Sequence, residues 1–147
     1  MIPETVRALV STGPLAHLTT LNSDGSPQVT VVWVSIQDDE FVTAHLGEYR
    51  KIKNIRNDGR VALSFLGKSR TPQGLVESMV AYGTARVTNG GAVDLLTRLA
   101  KTYIGPEANF PPPSLRSRPG FVIHIRPDRF GGIGPWANTS KLFSGWD

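Results

Sequence analysis

Arg50, Lys51, Lys53 and Asn54 fall within five residues of one another. Ammonium, guanidinium and amide groups set this closely are donors for an anion, and a phosphate suits them well. The stretch Tyr49 to Arg60 has a helical period. Tyr49, Ile52 and Ile55 share one face, and Arg50, Lys53, Asn54 and Asn57 share another. Gly47 lies just before it, and Asp58-Gly59 is a turn signal that can end it. The free backbone N–H groups and positive dipole at the start of such a helix would add to an anion site. The charge is local. From Gly47 to Arg70 there are seven basic residues (Arg50, Lys51, Lys53, Arg56, Arg60, Lys68 and Arg70) and two acids, Glu48 and Asp58. The segment is therefore net +5, against +4 for the whole chain. The plain alternative for any charge run is a solvated helix face.

Composition excludes several other chemistries. The chain has no cysteine, so thiolate nucleophiles, disulfides and thiolate metal sites are ruled out. His17, His45 and His124 stand singly, without metal-ligand spacing, so no metal site is expected. No acid–base constellation is evident, and no catalytic side chain is assigned. A length of 147 residues fits one domain, 1–147, with one core. There is no apolar run of membrane-span length and no signal pattern, so the expectation is a soluble cytoplasmic protein with no membrane partner. A pI near 9.8 favours an anionic partner without naming it.

The elements that must position the basic segment read as follows. Residues 2 to 11 are weakly helical, with Ile2, Val6, Leu9 and Val10 on one side. Leu15 to Leu21 alternates, Asn22 to Pro27 is dense in turn residues, and Gln28 to Ile36 is rich in β-branched residues. The spacing predicts a hairpin whose second arm is a central strand. Glu40 to Leu46 and Arg60 to Leu66 are further strands on either side of the basic helix. Gly67 to Gly74 reads as a polar loop. Leu75 to Thr88 is a long strand, in which Gly83 marks a bulge or a close backbone approach. Ala92, Leu95, Leu96, Leu99 and Tyr103 give the pattern of a core-facing helix. A proline- and arginine-rich loop follows from Glu107 to Pro119. Gly120 to Arg126 is a strand, and Arg129 to Gly134 is a candidate for another. Six or seven strands with two or three helices, mostly joined by short links, predict a mainly β protein. A small antiparallel barrel, closed or partly open, with helices at its ends fits best. There is no βαβ alternation and no GxGxxG motif, which argues against a Rossmann fold.

Four stretches together carry a family resemblance: Leu15–Leu21 with Asp24–Val29, Arg50–Leu63, Ala81–Val87 and Arg126–Trp136. The chain resembles the split β-barrel, pyridoxamine phosphate oxidase-like superfamily of flavin and deazaflavin proteins. Within it, the likeness is nearest to the actinobacterial reductases that use coenzyme F420. The resemblance implies a split barrel of about six antiparallel strands and a homodimer with two cofactor sites between the subunits. It also implies hydride transfer from the reduced deazaflavin to an electron-poor conjugated small molecule. FMN is the alternative cofactor. By position, Lys51, Lys53 and Asn54, with Arg50 beside them, match the phosphate-holding segment. Gln28 to Trp33, with Val31 and Val32 among them, match the strand along the tricyclic ring. His45 matches the wall leading to the phosphate, and Trp136 a late segment that reaches the partner subunit's site. Related chains often have Pro where Gly59 stands, a change that keeps the turn.

Each of these residues also has a plainer reading. Trp33 can pack in the core or in a dimer interface rather than beside a ring. His45 can be a satisfied strand histidine, Trp136 an anchor of the tail to the barrel, and Arg60 a structural partner of Asp58. A proton for the substrate could come from water, a backbone group or Tyr82. Lys68, Arg70, Arg116 and Arg118 are the basic residues that could meet the oligoglutamate tail of the deazaflavin. A non-catalytic cofactor carrier is a further reading. A barrel binding single-stranded nucleic acid ranks last, because only Tyr49 and Phe65 are interleaved with the basic residues.

Overall fold

The computed structural model describes residues 1–137; the apolar tail positions Leu142, Phe143 and Trp146 lie outside them. Its elements, in chain order, are α1 (Glu4–Ser11), β1 (Ala16–Leu21), β2 (Pro27–Val32), β3 (Ser35–Gln37), β4 (Glu40–His45), α2 (Arg50–Asn57), β5 (Arg60–Arg70), β6 (Val76–Asn89), α3 (Ala92–Tyr103) and β7 (Phe121–Ile133). A short 3-10 turn, Pro113–Leu115, interrupts the proline-rich loop. The strands form one sheet in the order β2-β1-β5-β6-β7-β4-β3, with every neighbouring pair antiparallel. The mainly β prediction holds, with seven strands.

The two edges of the sheet are consecutive in sequence. Only Trp33 and Val34 separate β2 from β3. In a flat sheet six strand spacings would part these edges by about 29 Å. Three Cα steps reach only about 11 Å. The sheet is therefore rolled until its edges nearly meet, and the interior becomes the core. Alternation decides what points inward: Ala16 and Leu18 on β1, Val61, Leu63 and Phe65 on β5, and Met79 and Ala81 on β6 are all buried. α1 closes one opening with Val6, Leu9 and Val10, and α2 contributes Ile52 and Ile55 to the same cluster.

On the outer surface α3 lays Leu95, Leu96 and Leu99 over Val42 and Ala44 of β4 and Val122 of β7. Both faces of β4 are consequently buried. Over β2, β1, β5 and β6 no element of the described residues covers the outer face. There Leu15, Val29, Val31, Leu66 and Tyr82 are exposed.

Three expectations change. Gln28 to Ile36 is not one central strand. It breaks at Trp33-Val34, and its two parts take opposite edges of the sheet. β-branched composition reports strand propensity but not strand position. Gly67 to Arg70 belongs to β5 rather than to a loop, because the strand continues in a long hairpin with β6 whose turn is Thr71 to Leu75. Phe121–Ile133 is one strand, not two. Its pairing with β6 slips by one residue at Tyr82/Gly83, leaving Asp128 as the extra residue. Gly83 is required there: a Cβ on it would come within 2.2 Å of the Arg126 carbonyl oxygen.

Candidate functional site

α2 sits after β4 with its buried face made of Lys51, Ile52, Asn54 and Ile55. Helical period had grouped Asn54 with the charged face and Tyr49 with the apolar one. The structure reverses both: Asn54 is 6 % exposed and Tyr49 54 %. The two isoleucines drive the helix onto the barrel, and Lys51 and Asn54, three residues apart, are carried inward with them.

Lys51 is the unusual residue. It is 8 % exposed, and no carboxylate of the described residues pairs with it. Burial pushes its ammonium below the usual lysine range. Its Nζ lies 5.8 Å from the centre of the Tyr49 ring, a weak cationic contact that leaves the charge unneutralised. His45, at the end of β4, is close enough to feel that charge. Burial first, and Lys51 second, hold its imidazole down to about 3, so it is neutral at ordinary pH. Its Nε2 is 2.7 Å from Thr43 Oγ1, a buried contact that satisfies that ring nitrogen. A largely buried lysine beside a neutral histidine, with no acid paired to it among the described residues, is an arrangement that an external anion would complete.

The rest of the basic segment divides. Arg56 is spent on Glu48 at 2.7 Å and on Asn89, and Arg60 on Asp58 at 2.7 Å. Arg60 is thus the structural partner its spacing allowed. Lys68 and Arg70 lie at the far end of β5, about 26 Å or more from Arg60 along the strand. Arg116 is engaged by the Pro111 carbonyl and Asn109. Arg50 and Lys53 remain, exposed on α2 and without an ion pair among the described residues.

Asn54 ties the helix to the β1–β2 hairpin. Its Nδ2 donates to Thr20 Oγ1 and to Asn22 Oδ1, both at 3.0 Å. Thr20, fully buried, donates in turn to Gln28 Oε1 at 2.9 Å. Asn54, Thr20 and Gln28 therefore link α2 through β1 to the edge strand β2, while Lys51 lies beside His45 at the end of β4. Along β2 the alternation separates the remaining candidates. Gln28 and Val32 point to one face with Thr30, whose buried hydroxyl has no partner among the described residues, while Val31 points outward. A ligand lying along β2 would meet these residues at the strand's free edge rather than on one face.

Trp33 and Trp136 are held by their own chain. Trp33 stacks on Tyr103 at 5.4 Å and 8° and packs on Phe110 at 5.3 Å. Tyr103 in turn donates to the Pro14 carbonyl and accepts from the Val34 N–H. Trp136 Nε1 donates to the Ser78 carbonyl at 2.9 Å. Tyr82 lies on the outer face of β6 with the Arg129 guanidinium 4.1 Å from its ring centre. No group of acids, histidines or cysteines that could hold a metal occurs among the described residues, and no helix there is long and apolar enough to cross a membrane. Sequence reasoning missed Thr20 and Asn22 as parts of the site. Their partner is 32 to 34 residues away, and no local spacing could have pointed to it.

Comparison with known proteins places this geometry. The family described as pyridoxamine 5'-phosphate oxidase matches residues 2–133. Among solved structures, an F420 reductase aligns with a TM-score of 0.70 at 24 % identity, over 88 % of this chain and 98 % of that one. HupZ of Group A Streptococcus aligns at 0.66 and 20 % identity, over 94 % and 98 %. A conserved hypothetical protein of Mycobacterium tuberculosis aligns at 0.68 and 20 % identity, over 90 % and 84 %. At these identities the likeness is one of fold, the split barrel. No curated protein is a significant match by sequence.

Proposed function

The chain belongs to the pyridoxamine 5'-phosphate oxidase family, whose fold binds flavins, and on that premise we propose that it is an oxidoreductase using the reduced deazaflavin F420. Its substrate would be an electron-poor conjugated small molecule, and its working form a homodimer. The observation that carries the reading is Lys51, a largely buried lysine on α2 beside His45 at the end of β4, with no acid paired to it among the described residues. Lys51 would hold the cofactor's phosphate, with Arg50 and Lys53 exposed beside it for further negative charge. His45, kept neutral, would wall the phosphate site without repelling or neutralising it. The ring would lie along β2, and the second subunit would supply the wall that one chain leaves open. When bound, the reduced ring supplies the hydride; the protein supplies position, a dry surface and electrostatics. Proton delivery to the substrate is open to water, a backbone group or Tyr82.

FMN is the second reading, and a specific observation favours it. The oligoglutamate tail of the deazaflavin calls for several cations, yet Arg56 and Arg60 are already paired, Arg116 is engaged and Lys68 and Arg70 are remote, which leaves Arg50, Lys53 and Arg118. Parallel fluorescence titrations with F420 and FMN separate the two. The expected result is tighter binding of F420, weakened roughly 10- to 100-fold by Lys51→Ala, as for loss of a charge-assisted hydrogen bond. Tighter binding of FMN would establish the second reading. Binding of neither would overturn both. Hydride transfer to a panel of electron-poor acceptors then separates a reductase from a carrier.

A further inference from the structure

The polar chain between the β1–β2 turn and β2 has a direction. Asp24 is its fixed end, because an ionised carboxylate only accepts; its pKa is lowered by the Ser26 hydrogen bonds. Asp24 Oδ1 accepts from the Ser26 hydroxyl at 2.5 Å and from the Ser26 N–H at 3.0 Å. The single Ser26 hydroxyl hydrogen is thereby used, so Ser26 Oγ receives Asn22 Nδ2 at 3.1 Å. Asn22 must then turn its Oδ1 toward Asn54, whose Nδ2 donates one hydrogen there and the other to Thr20 Oγ1. Thr20 Oγ1, already an acceptor, has one hydrogen left, and it goes to Gln28 Oε1. Each amide orientation up to Asn54 follows from the one before it, and Gln28 turns its oxygen to Thr20 because that gives the buried Thr20 hydroxyl hydrogen its acceptor. The last consequence is that Gln28 keeps its oxygen against Thr20 and turns its NH2 group away, half-buried at the edge of the sheet, with no acceptor among the described residues.

We propose that this hydrogen-bond chain, anchored at Asp24, sets Gln28 as a donor to the ring system of the bound cofactor. It thereby selects a heterocycle that presents an acceptor, a carbonyl oxygen or an unprotonated ring nitrogen, at that point. The proposal rests on the cofactor reading given above. Gln28 is the contact; Thr20, Asn22, Asp24, Ser26 and Asn54 are positioning residues. The chain gives the hairpin turn a role that its sequence, dense in Asn, Asp, Gly and Ser, does not announce. Those residue types make the turn, and they also fix the polarity of a side chain on the next strand.

The test uses the intact protein with FMN, F420 and riboflavin, the last being a ring without a phosphate. Gln28→Glu keeps the oxygen facing Thr20 and replaces the outward donor with an acceptor. It should weaken all three ligands by about 10-fold or more, because an acceptor facing an acceptor loses the bond and adds repulsion. Lys51→Ala should weaken FMN and F420 but spare riboflavin. Thr20→Val removes the link, and should weaken riboflavin and shift the visible absorption of the bound ring, whereas Thr20→Ser should restore both. Since Thr20 is fully buried, Ser26→Ala, on the exposed turn, provides the same test without touching the core. It frees Asn22 to turn over and should broaden or shift the same absorption band. If the wild type binds none of the three ligands, the cofactor reading falls and this proposal with it. If it binds them and Lys51→Ala behaves as stated, but Gln28→Glu and Ser26→Ala leave riboflavin affinity and spectrum unchanged, only this proposal is overturned.

Discussion

Lys51 and His45 are two bases that burial pushes the same way, toward their uncharged forms. For His45 the consequence reaches stability. Its value in the folded protein is about 3, against 6.5 in the unfolded chain. Between those two values the unfolded chain binds a proton that the folded protein refuses. The stability contributed by a neutral His45 is thus fully present above pH 6.5 and drains away as the pH falls toward 3. By pH 5 the loss is on the order of 1–2 kcal/mol. His45→Gln, which has nothing to protonate, should flatten the fall in urea-unfolding free energy between pH 6.5 and 5, whatever it costs at pH 7. An unchanged slope in the variant would mean that His45 takes up its proton in the folded protein as readily as in the unfolded chain.

At the scale of elements, most of the fold was legible and part of the site was not. Strand alternation and the heptad-like run in α3 are short-range patterns, and both appear where the residues put them. Gly83 was legible as well. A glycine inside a strand pattern has few reasons to be there, and the one found is the approach of β7 at the Asp128 bulge. Gly83→Ala should force the Arg126 carbonyl away from its place 2.2 Å from the new Cβ. A destabilisation of about 2 kcal/mol or more is expected in chemical unfolding, and a neutral result would mean that the bulge is elastic. The inward turn of Asn54 was not legible. Counting along α2 gives it the same face as Arg50 and Lys53; only Thr20 and Asn22, far away in sequence, show that it faces the barrel. The placing of β2 and β3 at opposite edges was hidden for the same reason: order within a sheet is a property of pairings, not of one segment.

The whole molecule is lopsided in what it covers. α3 shields the outer face of β4 and β7, whereas the outer face of β2, β1, β5 and β6 carries no helix of the described residues. Register aligns that bare face into rows. Val31, His17, Ser64 and Val80 form one, and Val29, Thr19, Ala62 and Tyr82 form the next. Of the middle positions Ser64, Thr19 and Ala62 are small and only His17 is large, and Leu15 and Leu66 extend the apolar character of the face toward one end. A partly apolar sheet face next to an open edge strand invites a second copy. The proposed homodimer would bury it and bring a second subunit to the boundary between β2 and α2. Ser64→Arg tests this at the centre of the face. The side chain points outward and touches neither the core nor the candidate site, so the monomer should fold unchanged by circular dichroism. In a paired face the guanidinium would be driven into an apolar, close-packed centre without an acid to meet it. Sedimentation at micromolar concentration should show a dimer for the wild type and a monomer for Ser64→Arg, with cofactor affinity lost in step. A wild-type monomer, or a variant that remains dimeric, would place the contact elsewhere and leave the groove beside Lys51 to be closed by this chain alone.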